Sequence, residues 1–380
     1  MSEFPTLQDL VWAARQKLPS AVWEFVTFGT ESETTVRRNR HALDSVAFIN
    51  RVMRDVSEVD TTTSLLGVKL RIPVVFAPVG SIALLDPGGA LTAAKVAEEF
   101  EIMHVVSGFA DPGYKAVAEG IKDKSRIVYA LHPRAEQPFL DDLVDGVKAA
   151  GYKAITFVSE GAYYSRRERD LMSGLATKSK RSRTYSSYLQ QMRDERAAGK
   201  TASKEGLLGT MITWEMLERV KSRSGLPLIL KGVTNAQDAR LAMEHGVDVI
   251  YVSNHGGRSL DHARGTIQSL PDVVDAVKGK ADIIVDGGFV RGSDVLKAVA
   301  MGAKAVSMGR MQSWALAAAG QTGLTRMLEI LEEEIIVSMG LLGVTKLEQL
   351  NRDYVTPSHP VTQPHPLSAF PVVMERIAKE

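Results

Sequence analysis

A histidine and an arginine three residues apart, His255 and Arg258, lie in the run Ser253-Asn254-His255-Gly256-Gly257-Arg258-Ser259-Leu260-Asp261. Histidine is the side chain best suited to take a proton near neutral pH. An arginine guanidinium grips a carboxylate through two parallel hydrogen bonds. The pair therefore suits one substrate, a molecule with a carboxylate beside the group that gives up the proton. Lys231 adds a charge at the end of the apolar run Leu228 to Leu230, so its ammonium has to leave the core and point above the strand end. A lysine there can also do no more than reach solvent. Asp286-Gly287-Gly288 and Gly309-Arg310 join glycine, whose backbone N–H groups can approach phosphate oxygens, to an arginine of matching charge. Tight turns use Gly-Gly as well.

The elements that must position these residues are short apolar runs: Val74 to Ala77, Met103 to Val106, Ile127 to Leu131, Ala154 to Val158, Leu228 to Lys231, Val249 to Ser253, Ile283 to Asp286 and Ala305 to Met308. Stretches with helical periodicity, such as Leu91 to Ala97 and Ala236 to Met243, separate them. Strands apolar throughout predict a parallel sheet covered by helices, and eight strand–helix units predict closure into a TIM barrel. Catalytic loops in such barrels follow the carboxyl ends of the strands, where all of the residues above fall, and phosphate sites commonly follow strands seven and eight. A helical segment over about residues 6–28 precedes the first strand. Residues 159–226 separate the fourth and fifth strands, about twice what one loop and one helix need, so an insertion is expected there. Its basic, apolar-poor middle predicts a mobile loop over about 170–210. The whole chain, 1–380, reads as one domain.

Composition narrows the function classes. Among 380 residues, 46 basic and 45 acidic side chains leave a net charge of +1, which gives no reason to expect nucleic acid as a partner. The absence of cysteine removes disulfides, thiolate nucleophiles and cysteine-ligated metals, and no metal site is expected. No run of 18 apolar residues occurs and the start lacks the pattern of a signal peptide, so a cytoplasmic protein without a membrane anchor is expected. Attraction of the basic insertion to anionic lipid is a minor alternative. No G-x-G-x-x-G fingerprint for a dinucleotide is present.

Taken together, Ser253 to Asp261, Leu230-Lys231-Gly232-Val233, Asp286-Gly287-Gly288 and Met308-Gly309-Arg310 resemble the FMN-dependent α-hydroxy-acid oxidase and dehydrogenase family, in the family's order. Lys17-Leu18-Pro19, Asp60 to Thr63, Ala77-Pro78 and Gly340 to Gly343 extend the likeness over nearly the whole chain, least of all between about 170 and 210, where the resemblance implies a lid over the site. The resemblance implies FMN as cofactor and oxidation of a 2-hydroxy acid to a 2-oxo acid. His255 would be the base, oriented by Glu160 where the family has an aspartate. Arg258 and Arg167 would hold the substrate carboxylate, and Lys231 would stabilise the reduced flavin. Pro78, Val79, Gly80, Ser107, Lys231, Ser253, Asp286, Gly287, Gly288, Gly309 and Arg310 would bind the cofactor, and tetramers are usual. The electron acceptor stays open among oxygen, a quinone and a protein, with Gly80 leaning toward a dehydrogenase.

Departures from the pattern bear on the substrate. Phe25 and His132 stand where the family has two pocket tyrosines. Ala130 and Val158 replace a glutamine and a threonine that hydrogen-bond the flavin, and Val290 replaces one of two phosphate-binding arginines. Arg291, one place on, is expected to substitute in part. Loss of two phenols predicts a bulkier substrate than glycolate. Two alternatives stay open: an FMN oxidoreductase of this fold acting on a larger, non-standard substrate, and a non-catalytic flavin- or phosphate-binding barrel.

Overall fold

The eight apolar runs form eight parallel strands: β1 (Val74–Phe76), β2 (Met103–Ser107), β3 (Ile127–Leu131), β4 (Ala154–Val158), β5 (Leu228–Val233), β6 (Val249–Val252), β7 (Asp282–Val285) and β8 (Ala305–Met308). They pair in sequence order, and β8 returns to β1 through the register Val306 to Val74, which closes the barrel. The structure is a computed structural model and describes residues 3–133, 137–163, 165–175 and 212–380. The lid loop expected at about 170–210 falls, from residue 176 onward, outside the described residues.

Strand parity explains how an apolar run can end in chemistry. Val75, Met103, Val105, Val128, Ala154, Ile229, Val249, Tyr251, Ile284 and Ala305 fill the barrel interior, while alternate residues such as Phe76, Val106, Leu131 and Phe157 pack in the layer shared with the helices. Both faces are dry, so both are apolar. Continuing the inward parity by two residues past the apolar layer reaches Ser107, Lys231, Ser253, Asp286 and Ser307 at the barrel mouth.

The opposite end is closed by a hairpin that the apolar runs did not announce, Thr63–Leu65 with Val68–Leu70. Leu66 and Gly67 turn it with φ of 53° and 76°, the left-handed pair that a two-residue hairpin needs. Its Leu65 and Leu70 join the interior cluster, each stabilising by about 1.5–3 kcal/mol on burial.

The expected amino-terminal helical segment is two helices, α1 (Leu7–Lys17) and α2 (Ser20–Thr27), with Pro19 between them. Thr6 and Asp9 cap α1 reciprocally. Trp23 of α2 stacks on Trp314 at 6.0 Å, which anchors α2 over the mouth. A third helix, α3 (Thr34–Asp44), packs against the helix Thr266–Val277. Among the described residues no helix is long and apolar enough to cross a membrane, and no cluster of side chains could hold a metal ion.

Candidate active site

α2 ends at Thr27, and its last carbonyls have no intrahelical donors. Two arginines from the barrel supply them. Arg258 donates to the carbonyls of Phe25 and Phe28, the latter at 3.0 Å, and its guanidinium lies 4.7 Å from the centre of the Phe25 ring. Arg310 donates to Thr27 O at 2.9 Å and Phe28 O at 3.2 Å. The backbone of α2 is thus part of the site, which no reading of side chains along the sequence could find.

His255 follows β6 in the left-handed region, with φ of 56°, and Gly256 and Gly257 continue the turn at 64° and 77°. A Cβ at Gly257 would sit 2.5 Å from the backbone nitrogen of Val36, so only glycine lets this loop touch α3. Asn254 fixes the turn. It exchanges amide hydrogen bonds of 2.8 and 3.0 Å with Asn39 of α3 and accepts from Gly257 N at 3.1 Å. Asp261, at the end of the same motif, accepts from Thr35 N at 2.7 Å and Ser32 Oγ at 2.8 Å and holds the start of α3.

Glu160, just after β4, reaches two partners with one oxygen. His255 Nδ1 lies 2.9 Å from Glu160 Oε1, and Lys231 Nζ donates to the same atom. Lys231 also donates to Ser253 Oγ at 2.9 Å and lies 3.9 Å from Asp286 Oδ2. Burial alone would raise the Glu160 carboxyl, but Lys231 and His255 outweigh it and hold the carboxylate ionised, well below its usual range. Burial and the Lys231 ammonium together pull the imidazole of His255 down to about 4, against the opposing pull of Glu160. Asp286 is pushed up by burial, with Lys231 opposing.

Arg167 donates to the carbonyl of Arg258 at 3.1 Å, and Ser165 Oγ reaches the same carbonyl at 2.6 Å, so the segment after β4 is tied to the segment after β6. On the other side Arg40 of α3, buried between Asp294 and Asp44 at 2.7 and 2.6 Å, donates to Gly288 O at 2.7 Å and shapes the turn after β7. Neither Asn39 nor Arg40 carried a signal in the apolar periodicity.

These groups surround a cavity of about 330 Å³. Of the residues singled out in the sequence, Phe25, Pro78, Val79, Gly80, Ser107, His132, Arg167, Lys231, His255, Arg258, Asp286, Gly287, Gly288, Gly309 and Arg310 line it. Glu160 and Ser253 stand behind Lys231 and His255 as their hydrogen-bond partners. Arg291 is placed elsewhere: its guanidinium pairs with Glu334 at 2.5 Å and lies 5.9 Å from the Phe370 ring, so it does not take over for the arginine replaced by Val290.

The sequence matches the FMN-dependent dehydrogenase family over residues 14–357. The chain belongs to that family. It is 32% identical over 376 residues to glycolate oxidase 1 of Zea mays, covering 98% of this chain and 99% of the relative. It is 35% identical over 341 residues to 4-hydroxymandelate oxidase of Amycolatopsis orientalis, covering 90% and 95%. Its fold is similar to that of mandelate oxidase solved with benzoyl-formic acid, at a TM-score of 0.80 and 33% identity over 94% of this chain and 100% of that one. The protein is therefore an FMN-dependent oxidoreductase of the hydroxy-acid oxidase family, acting on CH–OH groups.

The cavity fits the cofactor. Arg310 is half-buried with no carboxylate within ion-pair distance among the described residues, and desolvation lowers it to about 10. A guanidinium so placed favours an anion such as the FMN phosphate. The volume lies in the range of small-molecule sites. Val158 and Ala130 bring no polar side-chain atom to it, so this end of the site relies on packing.

Proposed function

We propose that the protein oxidises a 2-hydroxy acid to the 2-oxo acid, with His255 as the base. The observation that carries this reading is the Glu160 carboxylate shared between His255 Nδ1 and Lys231 Nζ beside a cavity that also holds Arg258 and Arg167. FMN, when bound, supplies the two-electron acceptor for the CH–OH group. Asp286, Gly287, Gly288, Gly309 and Arg310 would hold its phosphate and ribityl end, and Pro78, Val79, Gly80, Ser107 and Lys231 its ring.

Glu160 accepts the Nδ1 proton of His255, an assignment drawn from the hydrogen-bond network, and this leaves Nε2 as the basic nitrogen. Nε2 then receives a proton from the substrate, from the α-carbon or from the hydroxyl. Either route places the new positive charge next to the Glu160 anion. Arg258 and Arg167 would hold the carboxylate and so aim the CH–OH group at Nε2. Lys231, on the same Glu160 oxygen, would balance negative charge on the reduced ring.

Phe25, Leu84, Phe109, Leu171 and Leu175 give the cavity apolar walls, and His132 packs on Phe109 at 4.5 Å. Such walls favour a bulky acid, since buried apolar area contributes roughly 25 cal/mol per Å². Anaerobic bleaching of the flavin across 2-hydroxy acids from glycolate to mandelate and larger ones tests the reading. We expect kcat/KM for a bulky acid to exceed that for glycolate by at least about tenfold, or ~1.4 kcal/mol of transition-state binding. Equal rates would overturn the assignment of specificity to these walls. A flavin that no 2-hydroxy acid bleaches would overturn the reaction itself in favour of a larger, non-standard substrate.

A further inference from the structure

One carboxylate on the cavity wall has no part in the chemistry above. Asp170, in the short helix Glu168–Met172, is 8% exposed and lines the same cavity as His255, Arg258 and Arg167. Among the described residues its carboxylate accepts no hydrogen bond and makes no ion pair. Nearby Arg258 and Arg167 direct N–H groups to main-chain carbonyls, Arg258 to Phe25 and Phe28 and Arg167 to Arg258. They act on Asp170 through space, against burial, which pushes its carboxyl up, and against Glu24. The same cavity has apolar walls at Leu84, Phe109, Leu171 and Leu175. A carboxylate that a bound ligand cuts off from water without offering a donor is costly, and a donor from the ligand removes that cost.

We propose that Asp170 selects 2-hydroxy acids whose side chain carries a neutral hydrogen-bond donor, a hydroxyl above all, by accepting that donor. The inference rests on the function proposed above and narrows its substrate class. A neutral donor is favoured over an ammonium because the two arginines near Asp170 repel a cation. An acid lacking the donor leaves the carboxylate buried and unsatisfied, so discrimination comes from the penalty on the wrong substrate as much as from the bond to the right one. The bond would be present before and during the reaction alike, so it belongs in KM and not in kcat.

The test uses the FMN-loaded protein and pairs of acids that differ by one hydroxyl: mandelate with 4-hydroxymandelate, and 3-phenyllactate with 3-(4-hydroxyphenyl)lactate. In at least one pair the hydroxylated member should be preferred by about tenfold or more in kcat/KM, chiefly through KM. Asp170→Leu should bring that ratio to about one. Asp170→Asn, which keeps the shape and one acceptor oxygen, should retain part of it and guards against a leucine variant that does not fold. Binding of benzoylformate and 4-hydroxybenzoylformate, followed as a change in the oxidised flavin spectrum, reads the same contact without turnover. If no acid reacts but these keto acids bind with an Asp170-dependent preference, the proposed reaction fails and the role of Asp170 stands. Equal affinities within every pair in the unaltered protein, or a preference unchanged in both variants, overturn it.

Discussion

Glu160 holds His255 and Lys231 on one oxygen, and a span of that kind suits a side chain one methylene longer than aspartate. The motif made His255, Arg258 and Lys231 legible in the sequence, because each type in its place has one obvious chemical use. The resemblance put Glu160 on His255, but its bond to Lys231 was not legible, since the two residues belong to different strand–loop units. His255→Gln should keep FMN and lower the rate of flavin reduction by substrate about 10²–10⁴-fold, the usual contribution of a base, as read by anaerobic stopped flow. Reduction near the original rate would remove His255 from the role. The pH profile follows from the same geometry. His255 accepts a proton only while neutral, and burial beside Lys231 has moved its titration down to about 4. Activity should therefore stay level from neutral pH down to about 5 and fall as pH drops through about 4, with the sign fixed by protonation of the base. An acid limb at the ordinary histidine value, 6.5, would mean that the imidazole is not desolvated as the structure has it.

At the scale of elements, strands buried on both faces read as unbroken apolar runs, and all eight were visible for that reason. α3 was not. Its sequence, TTVRRNRHALD, has few apolar residues, and two of the residues it buries, Asn39 and Arg40, are polar because they face the loops after β6 and β7. Periodicity of apolar residues cannot report a helix whose buried face is made of hydrogen bonds. The start of α3 depends on Asp261, which accepts from Thr34, Thr35 and Ser32. Asp261→Ala should cost about 1–2 kcal/mol in urea unfolding at pH 7, as loss of a helix cap does, and should loosen the His255 loop that rests on α3. Burial pushes the Asp261 carboxyl up, but hydrogen bonds from Thr35, Ser32, His262 and Thr34 prevail and bring it down to about 2. The folded value is below the unfolded one, so this stabilisation is complete above about pH 4 and disappears as pH falls toward 2. The gap between variant and parent should close over that interval. A gap that is the same at pH 7 and pH 2.5 would show that the carboxylate is not the group responsible.

For the molecule as a whole, the barrel and the amino-terminal helices meet through Arg258 and Arg310, whose guanidinium groups fasten the end of α2 across the mouth. Arg310 stands at both the joint and the cofactor end of the cavity, so cofactor binding and docking of α2 should be linked. A cofactor that binds only the folded chain stabilises it by mass action, about 2.7 kcal/mol at a free concentration a hundred times Kd. Denaturing the purified yellow protein should release FMN and no dinucleotide. Adding FMN to the apoprotein should raise Tm in a concentration-dependent way. Arg310→Leu removes the guanidinium that lines the cavity after β8, and no other positive charge replaces it there, because Val290 is apolar and Arg291 is held by Glu334. The variant should therefore lose most of the FMN-dependent rise in Tm, beyond any change in the Tm of the apoprotein itself. It should also become more sensitive to proteolysis between α2 and α3, since Thr27 O and Phe28 O lose donors in the same substitution. An undiminished FMN-dependent rise in Arg310→Leu would mean that the phosphate is held by backbone N–H groups of the glycine turns alone, and that Arg310 serves only to dock α2.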